Sequence, residues 1–548
     1  MQQEKKSGMR LEREDWGKGI GGKNAGKDKG LLVIAVIMAL HIGAVFYMQC
    51  HADMGADGIF SYTLANNPYS FEYIDATYPK LPNSNGWIDA HVLRESYIVE
   101  DYDCFNYSSV YFHQRIDNHP LLYYSLVHTV CSLFQGSYSD FYTMVINLFF
   151  IFAVDILSIR FMKKLYGKYS YAAVMFAFFL LSVVMQELYV LPRMYMMLAF
   201  FCFWYLYIQW ELLNNEKWKK TDLIKMSVCI LGGTQTHYYF YVYVFSLTIF
   251  MMVYLVYRRK RYELLNYIYS GIAGIAVSWI LFPWVIWHIF FNQMGKHTAV
   301  APWSVEKLEK YILFLNDQLF NGRGWIALLL VGILCLAVIA RKKHVRKEIT
   351  KLRLFRWMVF GSGLCYSLVI FTLDEAVWHY MTSLYLTFIL WFSMVLIGLV
   401  QKIAGDIKSE GNREIVTAAL PVFCVLCILS VSAVSGWVKA RYDMARVISE
   451  FRGVAEKYEK YDCIYVEESQ DNLFQNLWFE FGDYDEFKKI SLADFIENGI
   501  REEDLAGRKD NSGLILYAPI EYMSGQEYQL LAAKRGFGIY KISDEAAK

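Results

Sequence analysis

Apolar blocks of about 20 residues, the length that crosses a ~30 Å hydrocarbon core as helix, recur along most of this chain. They lie at Gly30–Cys50, Phe141–Ile159, Tyr171–Gln186, Met194–Leu213, Leu223–Gly233, Tyr238–Tyr257, Tyr267–Phe290, Trp325–Ala340, Leu354–Leu373, Met381–Val400 and Ile415–Ser435. Backbone that faces lipid must satisfy its hydrogen bonds within its own segment, so each block is predicted helical, giving about eleven spans. Leu223–Gly233 is short and runs into Thr234-Gln235-Thr236-His237, which marks a broken or half-buried helix. Pro120–Phe134 is also apolar, but its length of about 15 residues favours an interfacial helix over a crossing.

The pattern changes after Ser435. Strand-like Cys463–Glu468, Phe487–Ser491, Gly513–Pro519 and Gly538–Ile542 alternate with the helical patterns Asp471–Phe479 and Glu527–Lys534. That rhythm predicts a small α/β domain over 436–548. No glycine-rich phosphate loop follows any of these strands, so nucleotide binding is unsupported. The fold class read from the pattern is an α-helical polytopic membrane protein. It divides into a polar tail at 1–29, a membrane module at 30–435 with a long first loop at 51–140, and the C-terminal domain.

Composition adds class, and charge adds direction. Hydrophobic residues are 56% of the 548, above the usual share for a soluble domain, which excludes an ordinary soluble enzyme. The net charge of +1 hides a segregation. Lys and Arg gather in Lys5–Lys29, Arg160–Lys168, Lys217–Lys225, Arg258–Arg261, Arg341–Arg356 and Lys402–Arg413. If Pro120–Phe134 does not cross, all these clusters fall on one side, which the positive-inside rule makes cytoplasmic. The N-terminus is then inside, beside anionic membrane lipid, and the first loop and the C-terminal domain are outside, at a plasma membrane. Gly30–Cys50 has no small-residue cleavage site after it and reads as an uncleaved anchor. Of the ten cysteines, Cys202, Cys229, Cys335, Cys365, Cys424 and Cys427 lie in apolar runs, where a thiol behaves as a small hydrophobe.

With this topology the polar residues collect on the outer side. Asp57 follows the first span, Asp117 and His119 lie in the same loop, and Arg193 opens the fourth span. His237 opens the sixth, and Glu375 and His379 precede the tenth. Ionisable groups at span ends usually face water, a partner or a bound ion. Taken one by one, Arg193 also suits snorkelling to headgroups, and His237 beside Tyr238 and Tyr239 suits an aromatic belt. Tyr69, Phe71, Tyr73, Tyr78 and Trp87 in the first loop suit both interface anchoring and sugar stacking. The histidines and carboxylates are suitable metal ligands, but no H-x-x-x-H or similar spacing appears, and neither metal nor other cofactor is expected.

Asp57 with Phe60-Ser61-Tyr62, then His119-Pro120-Leu121-Leu122-Tyr123, Arg193-x-Tyr195 and Thr236-His237-Tyr238-Tyr239, resembles the membrane module of GT-C glycosyltransferases. The branch with protein O-mannosyltransferases and the lipid A aminoarabinose transferase is the most similar, over roughly residues 30–400. The resemblance implies inverting transfer of a sugar from a polyprenyl-phosphate carrier to an extracytoplasmic acceptor, whether protein, lipid or wall glycan, with no nucleic acid involved. It implies Asp57 as the base. The family's acidic pair is Asp57-Gly58 here, its His-Pro-Pro is His119-Pro120-Leu121, and its Arg-Tyr before the tenth span is His379-Tyr380.

The residue types fit that chemistry. A carboxylate gives general-base help of about 10²–10⁴-fold to an attacking hydroxyl. A guanidinium grips phosphate oxygens bidentately, which makes Arg193 the first candidate for the departing phosphate and His237 the second. Asp117, His119, Tyr195, Tyr238, Glu375 and His379 complete the expected donor and substrate contacts. A catalytically dead scaffold also stays open, since Gly58 and His379 depart from the pattern. The competing class is a secondary transporter of a polar or lipid-linked solute, against which stand the lack of an internal repeat and the one-sided clustering of titratable groups.

Overall fold

The computed structural model describes residues 29–67, 86–117, 119–291, 304–340, 350–371, 378–405, 407–429, 436–467, 477–506, 508, 513–523, 528–534 and 536–542. The chain is a multi-pass helical membrane protein with a small C-terminal sheet. Its elements are α1 (Lys29–His51), α2 (Gly55–Asn66), α3 (Tyr107–Ile116), α4 (Leu122–Leu133), α5 (Phe141–Tyr166), α6 (Ala172–Leu181) and α7 (Val183–Val190). There follow α8 (Tyr195–Asn214), α9 (Lys220–Thr234), α10 (Tyr239–Tyr257), α11 (Arg261–Leu281), α12 (Trp284–Phe290), α13 (Val305–Phe320) and α14 (Gly324–Ala340). The last long helices are α15 (Thr350–Phe371), α16 (Thr382–Ala404), α17 (Glu410–Leu429) and α18 (Gly436–Lys457).

Among the described residues, 8 helices are long and apolar enough to span alone, and up to 10 spans result if each bent pair counts as one. One pair bends by 70° at Ser182, between α6 and α7, where the expected span Tyr171–Gln186 lies. The second bends by 76° between α13 and α14. The fifth expected span, Leu223–Gly233, is the 15-residue α9, shorter than a full crossing. The block Tyr267–Phe290 is interrupted: α11 stops at Leu281 and Pro283, whose ring cannot continue a helix interior, opens the separate α12. Pro120–Phe134 holds the 12-residue α4, too short to cross.

The C-terminal sheet has the order β1-β3-β2-β4-β6-β5. Its central strands β2 (Asp462–Glu467), β3 (Glu486–Ser491) and β4 (Leu514–Pro519) match the expected strands Cys463–Glu468, Phe487–Ser491 and Gly513–Pro519, and they run parallel. β6 (Phe537–Ile542) pairs antiparallel with β4. The expected helix Glu527–Lys534 is instead the edge strand β5 (Gln529–Lys534). Its Leu-Leu-Ala-Ala core favours a helix locally, but pairing with β6 across the turn at Gly536, where φ is +86°, overrides that preference. Most of the expected helix Asp471–Phe479 lies outside the described residues.

The first loop is built into this domain. Ile88–Asp89 forms β1, pairing antiparallel with Phe487 and Glu486. Trp87 is fully buried among Ile464, Leu516 and Phe495, and its indole N–H donates to Asp504 O at 3.2 Å. A second seam joins Tyr97, Tyr138 and Phe479, with the Tyr138 and Phe479 rings stacked at 4.1 Å and Arg452 of α18 over Tyr138. The loop and the sheet are therefore joined by a shared strand, a buried Trp87 and an aromatic seam.

Glu480 is buried at this seam. Burial pushes its carboxyl up to about 8, against the opposing pull of Arg452. A carboxyl raised on folding binds a proton more tightly in the folded state, so its contribution is intact below the unfolded value near 4.5 and is lost as pH rises through 8. Glu480→Gln should therefore raise Tm at pH 8.5 and change it little at pH 5. Equal shifts at both pH values would show that the carboxyl is not held neutral.

Candidate functional site

The site is assembled from helix junctions at one end of the bundle. α1 ends just before Asp57, α7 gives way to α8 at Arg193, α9 gives way to α10 at His237, and α16 begins just after Tyr380. Gly55 makes the turn from α1 into α2 with φ +60°, a conformation open to glycine without a Cβ clash. Asp57 thus stands in the first turn of α2, where a carboxylate also complements the helix dipole.

Asp57 Oδ1 lies 3.6 Å from Arg193 Nε. The Arg193 side chain is 11% exposed and that of Asp57 is 42% exposed, so the carboxylate reaches solvent while the guanidinium stays in the protein. Burial works against the charge of Arg193, but Tyr124, Asp57, Tyr195 and Asp117 together hold its pKa above the ordinary guanidinium value. Its Nη1 is buried and, among the described residues, meets no hydrogen-bond acceptor. The loop that carries Arg193 is fixed at two carbonyls, those of Leu191 and Pro192. Asn147 Nδ2 donates to Leu191 O at 2.6 Å, Ser61 Oγ donates to Pro192 O at 2.6 Å, and Arg193 N donates to Leu191 O at 2.8 Å.

The remaining candidates divide into three groups. Asp117 Oδ2 holds His119 Nδ1 at 2.5 Å, and the His119 ring lies 6.1 Å from Tyr124 and 6.2 Å from His237. His237 is buried, accepts the Tyr239 N–H on Nδ1 at 3.2 Å, and packs against Tyr195 at 5.6 Å and Tyr380 at 6.3 Å. An acceptor role for Nδ1 leaves a neutral His237 its proton on Nε2. The structure thus joins Asp57, Arg193, Tyr195, Asp117, His119 and His237 into one cluster. Tyr238 is at its margin: its hydroxyl donates to His288 Nδ1 at 2.6 Å, and His288 Nε2 in turn donates to Arg115 O at 2.9 Å. Glu375 and the side chain of His379 lie outside the described residues.

Two residues quoted as motif members are scaffolding. Ser61 pins the Arg193 loop, and the buried Tyr62 donates to Ser139 O at 2.7 Å. Pro120 lies just ahead of α4, outside the helix. The helix begins at Leu122, without a side-chain cap, and Leu122 N donates to Gln235 O at 3.0 Å, which ties the His119 knot to the His237 loop. Sequence reading passed over Tyr124, His288 and Asp53. Asp53 is half-buried ahead of α2, and desolvation pushes its carboxyl up to about 6, opposed by the Gly55 backbone N–H and Arg441. No spacing signal marks these residues, because their partners come from distant helices. Among the described residues no three His, Cys, Asp or Glu side chains converge as a metal group.

No family model and no curated protein matches the sequence. Solved structures do. The chain is similar to ArnT from Cupriavidus metallidurans bound to undecaprenyl phosphate, at 8% identity and TM-score 0.49, over 94% of this chain and 99% of that one. It is similar to the same protein in the apo state at 9% identity and TM-score 0.46, over 95% and 99%. It is also similar to the archaeal oligosaccharyltransferase AglB from Archaeoglobus fulgidus, in complex with an inhibitory peptide and a dolichol-phosphate. That match has 9% identity and TM-score 0.42, over 90% of this chain and 69% of that one. These are GT-C proteins, the superfamily that the motifs resemble.

Gly58 holds the place of the second acid in the usual pair. A Cβ there would lie 2.5 Å from Met54 Cβ, so any side chain forces the start of α2 to shift. Gly58→Glu, which restores the acidic pair on paper, should cost about 1–3 kcal/mol by overpacking, seen as a lower Tm in detergent. An unchanged Tm would mean that the turn accommodates a side chain freely.

Proposed function

We propose that this protein is an inverting glycosyltransferase that moves a sugar from a polyprenyl-phosphate donor to an extracytoplasmic acceptor. The observation that carries the reading is the pairing of a solvent-reaching carboxylate with an enclosed guanidinium. Asp57 is free to take a proton from an acceptor hydroxyl, while Arg193 keeps Nη1 for an anion. Both stand at one end of the bundle, where a lipid-borne phosphate arrives at headgroup depth.

In this reading Asp57 assists the hydroxyl as it attacks the anomeric carbon, and the C–O bond to the carrier phosphate breaks on the opposite face. Charge grows on the departing phosphate. A fixed guanidinium stabilises it without reorganising, and its planar fork offers two parallel donors. His237, with Nδ1 committed to the Tyr239 N–H, presents Nε2–H as a further donor, and the Asp117–His119 pair orients the acceptor side. The proton from the acceptor leaves through the exposed face of Asp57. The C-terminal domain, joined to the first loop through β1, is placed to handle the acceptor.

Two measurements test this. Asp57→Asn keeps the volume and removes the base, so transfer from a polyprenyl-phosphate sugar should fall by about 10²–10⁴-fold while the protein still inserts and folds. Transfer equal to wild type would remove Asp57 as the base. Orientation is tested by membrane-impermeant cysteine labelling in intact cells. A probe at the exposed Gln135 and one in the C-terminal tail should both react, and one at Lys343 should not. The reverse pattern would place the site on the cytoplasmic leaflet and contradict the reading.

A further inference from the structure

A polar chain that the site chemistry does not use runs through the membrane core beside it. His41 in α1 and Asp155 in α5 are both fully buried, with Nδ1 2.8 Å from Oδ2. His41 Nε2 lies 2.9 Å from the hydroxyl of Tyr189 in α7, and that hydroxyl donates to Phe179 O at 3.1 Å.

Counting protons assigns the roles. A carbonyl only accepts, so the single Tyr189 hydroxyl proton goes to Phe179, and His41 Nε2 must supply the proton that Tyr189 accepts. One further proton lies between His41 Nδ1 and Asp155. The pair is neutral as a whole, whether written as imidazolium with carboxylate or imidazole with carboxylic acid. Neutrality lowers the cost of burying it in hydrocarbon, but an apolar trio of the same shape would bury as well or better. What the hydrogen bonds add is a single register between α1, α5 and α7.

That register leads to the site. Two turns beyond His41 on α1, Gln49 Nε2 donates to Tyr189 O at 2.9 Å, satisfying a carbonyl of the last turn of α7 that has no partner within its helix. On α5, Asn147 holds Leu191 O. α1 runs on into Asp57, and α7 runs on into Arg193. We propose that His41, Asp155 and Tyr189 are positioning residues that set the Arg193 guanidinium against Asp57, a role that rests on the transferase reading of that pair.

The test uses the full-length protein and transfer from a polyprenyl-phosphate sugar. Tyr189→Phe keeps the ring, which meets His41 edge-on at 5.3 Å, and removes only the hydroxyl. It should lower transfer by about 10²-fold, the scale expected of a small misplacement of reacting groups. Asp155→Leu should do the same. Asp155→Asn, whose amide can meet Nδ1 as donor or acceptor, should stay within about threefold of wild type. In an Arg193→Lys background Tyr189→Phe should add little, because both act through the same guanidinium, whereas independent structural damage multiplies in full. The proposal is overturned if Tyr189→Phe transfers like wild type, if its loss multiplies in full on Arg193→Lys, or if Asp155→Asn is as impaired as Asp155→Leu. Should Asp155→Leu fail to insert, Tyr189→Phe and its double variant decide alone. If Asp57→Asn and Arg193→Lys themselves leave transfer intact, the site reading falls and takes this proposal with it. Full multiplication with both still impaired overturns the positioning role only.

Discussion

A guanidinium enclosed by a membrane protein is costly unless charged or polar groups surround it, and Arg193 has Asp57 beside it and Tyr124, Tyr195 and Asp117 around it. The constraint works in both directions. Tyr124, Asp57, Tyr195 and Asp117 together offset the burial of the Arg193 charge, and Asp57 gains a fixed cation beside a solvent-reaching oxygen. Much of the surrounding structure serves to bring these two side chains, from chain segments far apart in sequence, to one helix-junction cluster.

The supports are of three kinds. The carbonyls of Leu191 and Pro192 in the Arg193 loop are taken by Asn147, Ser61 and the loop's own turn. The knot before α4 is tied to the His237 loop through Leu122 N and Gln235 O, and Gln235 is itself held by Ser278 of α11. Arg441 of α18 donates to Asp53 O and Met54 O, which links the C-terminal domain to the residues that lead into α2. With β1 and Trp87 fastening the first loop to the same domain, the sheet is part of the frame that holds Asp57 rather than an appended unit.

The spans were legible because lipid imposes a length and a composition on them, and the C-terminal parallel strands because their apolar runs are short and bounded. The site was half legible. Asp57, Arg193 and His237 announce themselves as charges at the ends of apolar blocks, and the structure brings them together. Tyr238 reads like its neighbours in sequence, yet its hydroxyl turns to His288, a choice set by α12 and α3. The Glu527–Lys534 segment carries a helical composition and becomes a strand because its partner lies across a tight turn. His41 and Asp155 are separated by more than a hundred residues, and no periodicity connects them. Pairings of that kind are tertiary facts and leave no local trace.

The most direct measurement of the central claim is the affinity of the detergent-solubilised protein for a polyprenyl phosphate, compared among wild type, Arg193→Lys and Asp57→Asn. If Arg193 is the phosphate grip and Asp57 its resident countercharge, Arg193→Lys should weaken binding by about tenfold or more, because a point charge replaces a planar fork. Asp57→Asn should bind as tightly as wild type or more tightly, because it removes the carboxylate that competes for the same guanidinium. Unchanged binding in Arg193→Lys, or loss of binding in Asp57→Asn, would contradict the account.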